Sequence, residues 1–587
     1  MTSTGRGLDS VTMHVLHNAL ANITAEMALV MIKTAYSTIF NEGRDFSTVL
    51  LDRSGQLIAE KNYTPSMMGA VPNTVRWTLE EFGPAFFEPG DVVIHNDPYR
   101  GQCHLPEHMV MKPLYYRDEL IAFAGAIGHV ADVGGKAPGS FASDATEVYQ
   151  EGLRLPPVKL MRRGCYNEDV WRIVLANHRT PRNTWGDFNA MIGALNVGER
   201  RLGELLRRFD TETVTRGCEQ LIGYSERRLR AEISELPTGR YSAVTTVEDD
   251  GVDATPFEVR ATVVIDGDSV IVDYTGSSRQ VRGPMNCTYV VAASAAYNAV
   301  FCVTDPEQLI PRNSGCYRPI SVIAPAGSVV NVLHPGPSVG GNTDLQPKMI
   351  DLLLAALSQA VPERVAASTG GSSSNLLLGG VHPETGAYYT NYHFDGMGAG
   401  GSARADGNSA EITRHSNCRN TPVEIFEHRY PLTTLEYALV SDSGGAGVHR
   451  GGLSTTRTLR VDVDELIVSA LFDRFKLAPA GLFGGAPGLG SRLEVRRAGQ
   501  DEFEGFDEAF GFKSPTKFTN AVLRRGDMIR YRTAGGGGFG DPAGRERPAV
   551  IEDVLEGYIS TDAARSIYGV GADELAPSED GEVGAYG

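Results

Sequence analysis

Apolar positions recur at helical spacing between residues 8 and 40. Val11, Val15, Leu16, Leu20, Ile23, Met27, Met31 and Ala35 fall on one stripe, which predicts one long helix ending before Asn41-Glu42-Gly43. The period then changes. Residues 47–51 and 56–59 read as two strands joined through Asp52-Arg53-Ser54-Gly55, a hairpin. Between 90 and 160, short apolar runs end in polar loops. Val92-Val93-Ile94 leads into Asn96-Asp97-Pro98-Tyr99-Arg100-Gly101, and residues 120–126 lead into Gly128-His129-Val130-Ala131-Asp132. Loops held at strand ends are common places for chemistry.

Residues 186–236 turn helical and rich in Arg and Glu, as a hairpin or bent pair of helices. Strands are predicted over 241–247, 257–265 and 269–274, the last two joined by an Asp266-Gly267 turn. Helical patterns return over 284–303 and 347–366. From 375 to 535 the chain is rich in Gly, Asn and Thr with short strands at 456–461, 465–470 and 492–496, a mixed β region. No period signals a solenoid or propeller. These patterns predict an α+β, multi-segment mixed fold in four parts: an N-terminal α/β region carrying the site (1–185), a helical-hairpin and strand–helix middle (186–370), a β-rich region (371–570) and a disordered acidic tail (571–587).

With 587 residues the chain is long enough for several domain-sized units. Its net charge of −18 and the absence of a long Lys/Arg run exclude a nucleic-acid binder. The seven cysteines are widely spaced and include no CxxC, which argues against a disulfide framework or a thiolate zinc site and for a reducing, cytoplasmic setting. The N-terminus lacks a signal-peptide pattern, and no stretch approaches 18 uninterrupted apolar residues, so no membrane span is expected.

Two loops carry matched chemistry. His104 is followed three residues later by Glu107, and His129 three residues later by Asp132. If the loops meet, two imidazoles and two carboxylates converge, a donor set suited to a divalent Zn, Mn or Fe ion. Among 13 histidines such pairs also arise by chance, so a ligand role and a chance pairing both stay open. Asp97 reads first as an Asx turn before Pro98, and Asp45 as a helix-end turn residue. Cys103, beside His104, is read as pocket lining, and His95 and His108 as packing groups or supports. His178, His393, His415 and His428 have no partner pattern. The glycine-rich runs at 535–540, 442–447 and 484–488 lack the Lys-Ser/Thr of a phosphate loop and read as close backbone packing. Neither Gly139-Ser140 nor Gly370-Gly371-Ser372-Ser373-Ser374 is a G-x-S-x-G elbow.

Several segments together resemble the hydantoinase B/oxoprolinase family, in order and over nearly the whole chain. They include Glu42-Gly43-Arg44-Asp45-Phe46-Ser47, Asn96-Asp97-Pro98-Tyr99-Arg100-Gly101, His104-Leu105-Pro106, His129-Val130-Ala131-Asp132-Val133-Gly134-Gly135, Glu151-Gly152-Leu153-Arg154, Asn196-Val197-Gly198-Glu199-Arg200-Arg201, Asn420-Thr421-Pro422-Val423-Glu424 and residues 535–542. The resemblance implies a metal-binding subunit that works with a hydantoinase A-type large subunit, expected as a heterotetramer of two copies of each. ATP and Mg are expected on that partner, where ATP phosphorylates the substrate carbonyl oxygen. The substrate is then a small cyclic amide (hydantoin, 5-oxoproline or lactam) whose ring water opens. It also implies metal ligands at His104 and His129, with Asp45, Glu107 and Asp132 as acidic ligands. The family more often has Asp where this chain has Glu107. Asp97 would orient a ligand histidine, and Arg44 and Arg100 would receive phosphoryl oxygens or pair with the nearby Asp45 and Asp97. An acetone/acetophenone-type carboxylase subunit and a non-catalytic scaffold are the alternatives. The chain length leans toward the hydrolases.

Overall fold

A computed structural model describes residues 7–571 and 574; most of the predicted acidic tail lies outside them. The first helix, α1 (Ser10–Thr34), is capped by Asp9, whose side chain accepts from Thr12 N. It ends six residues before the predicted stop. Tyr36 N and Ser37 N leave the helical ladder and donate to Asp187 Oδ1 at 2.8 and 3.0 Å. A wide π-type turn at Ile39–Gly43 follows, and Arg44 sits at φ 57°. This break is what delivers Asp45 to the start of a strand.

The N-terminal sheet has seven antiparallel strands: β1 (Phe46–Asp52), β2 (Leu57–Asn62), β3 (Val92–His95), β4 (Glu107–Tyr116), β5 (Glu119–His129), β6 (Val158–Arg162) and β7 (Cys165–Tyr166). Their order is β2-β1-β5-β4-β3-β6-β7. Helices α2 (Ala70–Phe82) and α3 (Glu168–Asn177) flank it. The predicted helical pair is α4 (Pro181–Phe209) and α5 (Thr211–Ser234), broken at Asp210, which caps α5 through Thr213 N. α1 lies along α4, and the two cover one face of the sheet. Side chains alternate along β4: Lys112 reaches Asn196 and Glu199 on α4, and His108 packs on Phe188. Glu107, one residue away, therefore points to the opposite face.

In the middle of the chain, β8 (Gly239–Val247), β9 (Phe257–Asp266), β10 (Ser269–Asp273) and β11 (Ile320–Ile323) form a four-stranded sheet. Asp266 pairs with Ser269, so the two-residue turn is Gly267-Asp268, one position beyond the predicted Asp266-Gly267. Helices α6 (Tyr289–Thr304), α7 (Ser314–Tyr317) and α8 (Gln346–Leu357) belong to this part. A π-type turn at Gly341–Leu345 precedes α8, and the helix predicted to run to 366 ends at Leu357, with a separate short turn at Pro362–Arg364.

The β-rich region resolves into two antiparallel sheets. Its strands are β12 (Asn375–Val381), β13 (Tyr388–His393), β14 (Leu432–Leu439), β15 (Thr455–Val461), β16 (Leu466–Leu471), β17 (Arg492–Arg496), β18 (Glu504–Gly505), β19 (Lys517–Leu523) and β20 (Met528–Arg532), ordered β13-β12-β16-β19 and β14-β15-β20-β17-β18. The run at 535–538 is packed backbone. A Cβ on Gly535 would meet the Ser443 carbonyl oxygen, and one on Gly536 that of Ala399.

One apolar core runs from Leu16 to Phe394 and takes in Leu471, and a second fills the C-terminal sheets from Leu376 to Tyr531. The boundary predicted at 185/186 falls inside the first core. α1 is long and apolar enough by length and composition to cross a membrane. Its Leu16, Leu20, Ile23, Met27 and Met31 are buried in the core, each contributing about 1.5–3 kcal/mol of apolar burial. All seven cysteines are free thiols.

Candidate metal centre

The antiparallel register assembles the site. Phe46 of β1 pairs with Gly128 of β5, and His129 N donates to the Asp45 carbonyl at 3.1 Å. Glu107 of β4 pairs with His129 of β5. Asp45, His129 and Glu107 therefore form a row across three adjacent strands. His104 enters from the turn before β4, its ring centroid 5.1 Å from that of His129. Its Nε2 is 3.4 Å from Glu107 Oε1.

These four side chains are buried, and their donor atoms are unusually idle. His104 Nε2, both ring nitrogens of His129 and Glu107 Oε2 have no hydrogen-bond partner. Buried polar atoms without partners carry a desolvation cost, and several converging in one place need an explanation. The His129 ring packs on Tyr392 and Phe141, centroids 4.8 and 5.7 Å away, with planes within 27° of parallel. Burial holds His129 well below the usual histidine pKa, with His104 and His108 acting in the same direction. His104 is pulled down by burial, but Glu107, the Val339 carbonyl and Asp45 outweigh this and raise it. Burial pushes Asp45 up to about 7, Glu107 adding to the effect and the Thr64 hydroxyl opposing it.

A cavity of about 20 Å³ lies against Asp45, Glu107 and His129. That is room for one water or one ion. Thr64, Asn342, Ser373, Tyr392, His415 and Cys418 are among the residues of its wall. Asn342 Nδ2 donates to Glu107 Oε1 at 2.6 Å. Ser373 Oγ and His415 Nε2 are 3.1 Å apart, and burial lowers His415 to about 3, which keeps its ring neutral. Sequence patterns do not reveal these residues. They lie more than 200 positions from His129, Thr64 excepted, and carry no local motif. Among the described residues, no group of three or more His, Cys, Asp or Glu side chains is placed to hold a metal ion as it stands. The donors themselves, two imidazoles beside buried carboxylates, are of the kind a divalent ion takes.

Other candidates stand elsewhere. Asp132 is turned away into its own loop. Oδ1 accepts from Gly134 N and Arg179 N, and Oδ2 from Gly139 N and Arg179 Nη1. Four donors saturate it, so it does not join the row at His129. Arg100 is held by Glu81 at 2.6 Å and lies over Trp77, and Arg44 lies over Tyr63; neither lines the cavity. Asp97 makes the expected Asx turn, accepting from Tyr99 N at 3.1 Å. It orients no ligand histidine, because the His104 Nδ1 partner is the Val339 carbonyl at 3.1 Å. Cys103 is buried behind His104, its thiol directed to the Ser66 carbonyl.

A buried sheet row of carboxylate, imidazole and carboxylate, backed by a second imidazole, defines a candidate metal centre inside an α+β fold. Residues 9–542 match the hydantoinase B/oxoprolinase family model. The chain is 32% identical to the B-type subunit of a putative D-/L-hydantoinase of Pseudomonas sp. (strain NS671), over 96% of this chain and 95% of that one. It is likewise 32% identical to the beta chain of the Pseudomonas jessenii caprolactamase, over 96% of each. The solved ATP-dependent caprolactamase of P. jessenii superposes with a TM-score of 0.88 at 30% identity, covering 97% of this chain and 98% of that one. A nucleotide-free acetone carboxylase shares the fold, with a TM-score of 0.88 at 20% identity over 96% of this chain and 81% of the other. The chain belongs to the hydantoinase B/oxoprolinase family.

Proposed function

We propose that this chain is the metal-binding subunit of an ATP-dependent cyclic amide hydrolase, acting with a hydantoinase A-type ATP-binding subunit. The observation that carries the reading is the cluster of buried, partnerless donors on His104, His129 and Glu107 beside Asp45. Relatives matched over nearly their whole length, named as the B-type subunit of a hydantoinase and the beta chain of a caprolactamase, support both the chemistry and the need for a partner.

His104, His129, Glu107 and Asp45 would hold the ion. A divalent metal there would supply a Lewis acid and a water of lowered pKa, near about 7 on zinc. The protein does the rest. The Val339 carbonyl accepts from His104 Nδ1 and leaves Nε2 free as a lone-pair donor. Phe141 and Tyr392 fix the plane of His129 and keep bulk water from it. Asn342 orients Glu107. The cavity suits an ion or a water, so the ring itself meets the site from outside it. Opening the ring breaks the amide C–N bond, adds water oxygen to the carbonyl carbon and leaves the nitrogen protonated.

Replacing His129 with Ala should abolish both bound metal and ring opening while the two subunits still co-purify. Metal content by mass spectrometry and a ring-opening assay on the co-expressed pair check this. A metal-free His129→Ala complex that still turns over would remove the metal from the reaction.

A further inference from the structure

The loop that carries His104 is tied to a second conspicuous segment, Glu151-Gly152-Leu153-Arg154. Asn96 Nδ2 donates to the carbonyls of Leu105 and Leu153 at 2.8 and 2.9 Å, and its Oδ1 accepts from Leu155 N at 2.6 Å. One side chain thereby locks the His-Leu-Pro turn to the segment after Glu151. Glu151 itself is fully buried. Its Oε1 accepts from two successive peptides, Ser338 N and Val339 N, both at 2.8 Å. The carbonyl of that same Val339 faces His104 Nδ1 at 3.1 Å.

A carbonyl oxygen only accepts. His104 Nδ1 therefore carries a ring proton, which leaves Nε2, 3.4 Å from Glu107 Oε1, as the nitrogen a metal would take. That carbonyl belongs to the next peptide, Val339–Gly340, whose N–H donates to the Pro284 carbonyl at 3.0 Å, and Glu151 anchors Val339 on its other side. We propose that Glu151 is a positioning residue: by clamping the Ser338–Val339 peptides it fixes the tautomer and orientation of His104. The inference rests on the reading of His104 as a metal ligand. Outer partners of ligand histidines commonly contribute in this way, and their loss costs about 10–100-fold in metal affinity.

The test uses Zn²⁺ alone on the purified full-length chain, by chelator competition, with ¹⁵N-histidine NMR reading the His104 tautomer against a His104→Asn reference. Glu151→Ala should weaken Zn²⁺ about 10–100-fold and convert His104 to a mixture of tautomers. Glu151→Gln, which keeps an acceptor at Oε1, should bind within about 3-fold of wild type and keep the Nδ1–H form. If Glu151→Ala does not fold, Glu151→Asp, one methylene too short to hold both peptides, should show a weaker loss of the same kind. Glu151→Ala binding Zn²⁺ like wild type, or wild-type His104 in the Nε2–H form, would overturn the proposal. Wild type failing to bind Zn²⁺ at all would instead sink the metal reading, and the tautomer signal would still decide the role of Glu151.

Discussion

At the residue scale, the two HxxD/E pairs look alike in sequence and part company in the structure. His104 stays beside Glu107, which lines the cavity, while Asp132 leaves His129 for Arg179 and three backbone N–H groups. Asp132→Asn keeps one accepting oxygen but turns an amide N–H₂ toward donors, which should cost about 1–3 kcal/mol of stability and leave bound metal unchanged. Denaturant unfolding and metal analysis of the one variant read both. Loss of metal at wild-type stability would return Asp132 to the ligand set. The histidines were legible because each closes a loop beside a strand and has a carboxylate three positions on. The fate of Asp132 was not, because Arg179 lies 47 residues further along the chain.

At the element scale, the break after α1 decides where Asp45 lands. Helical periodicity continues through Ala35, so the pattern of apolar residues gave no sign of it. The cause is a tertiary bond from Asp187 on α4 to the N–H groups of Tyr36 and Ser37. Burial raises Asp187 to about 6, against the pull of those donors. A carboxylate whose folded pKa lies above its unfolded value of 3.8 stabilises the fold most below pH 3.8, and that contribution is lost as pH rises through about 6. Asp187→Asn does not titrate. Its stability deficit relative to wild type should therefore shrink between pH 4 and pH 7, by up to about 3 kcal/mol for a shift of this size. Chemical denaturation at the two pH values measures it, and an equal deficit at both would contradict the assignment. The strands and the helical pair were legible from alternation and from apolar spacing. The two π-type turns, at Ile39–Gly43 and Gly341–Leu345, have no sequence signature of that kind, and both feed the site.

At the scale of the whole molecule, the cavity is built by parts far apart in the chain. The seven-stranded sheet supplies Asp45, Glu107 and His129, the turn before α8 supplies Asn342 and Thr343, and the C-terminal part supplies Ser373, Tyr392, His415 and Cys418. The donor half was legible in the sequence and the enclosing half was not, because its residues, Tyr392 and Cys418 among them, reach the first apolar core from distant parts of the chain. The glycine run at 535–538 packs the C-terminal part together. Its backbone lies against 399–401, 443–446 and 480–481, where no side chain fits. A phosphate loop needs free N–H groups facing a ligand; here Gly535, Gly536, Gly537 and Gly538 donate to Leu489, Gly452, Ser368 and Ala486 carbonyls. With those N–H groups taken, this run offers no phosphate cradle.

The central claim is tested most directly by co-expressing the chain with a hydantoinase A-type partner and following ring opening of hydantoins, 5-oxoproline and lactams, with and without ATP and with and without bicarbonate. Ring opening should require ATP and both polypeptides and be indifferent to bicarbonate. ATP turnover that appears only with a ketone and bicarbonate, or ring opening that proceeds without ATP, would contradict the claim.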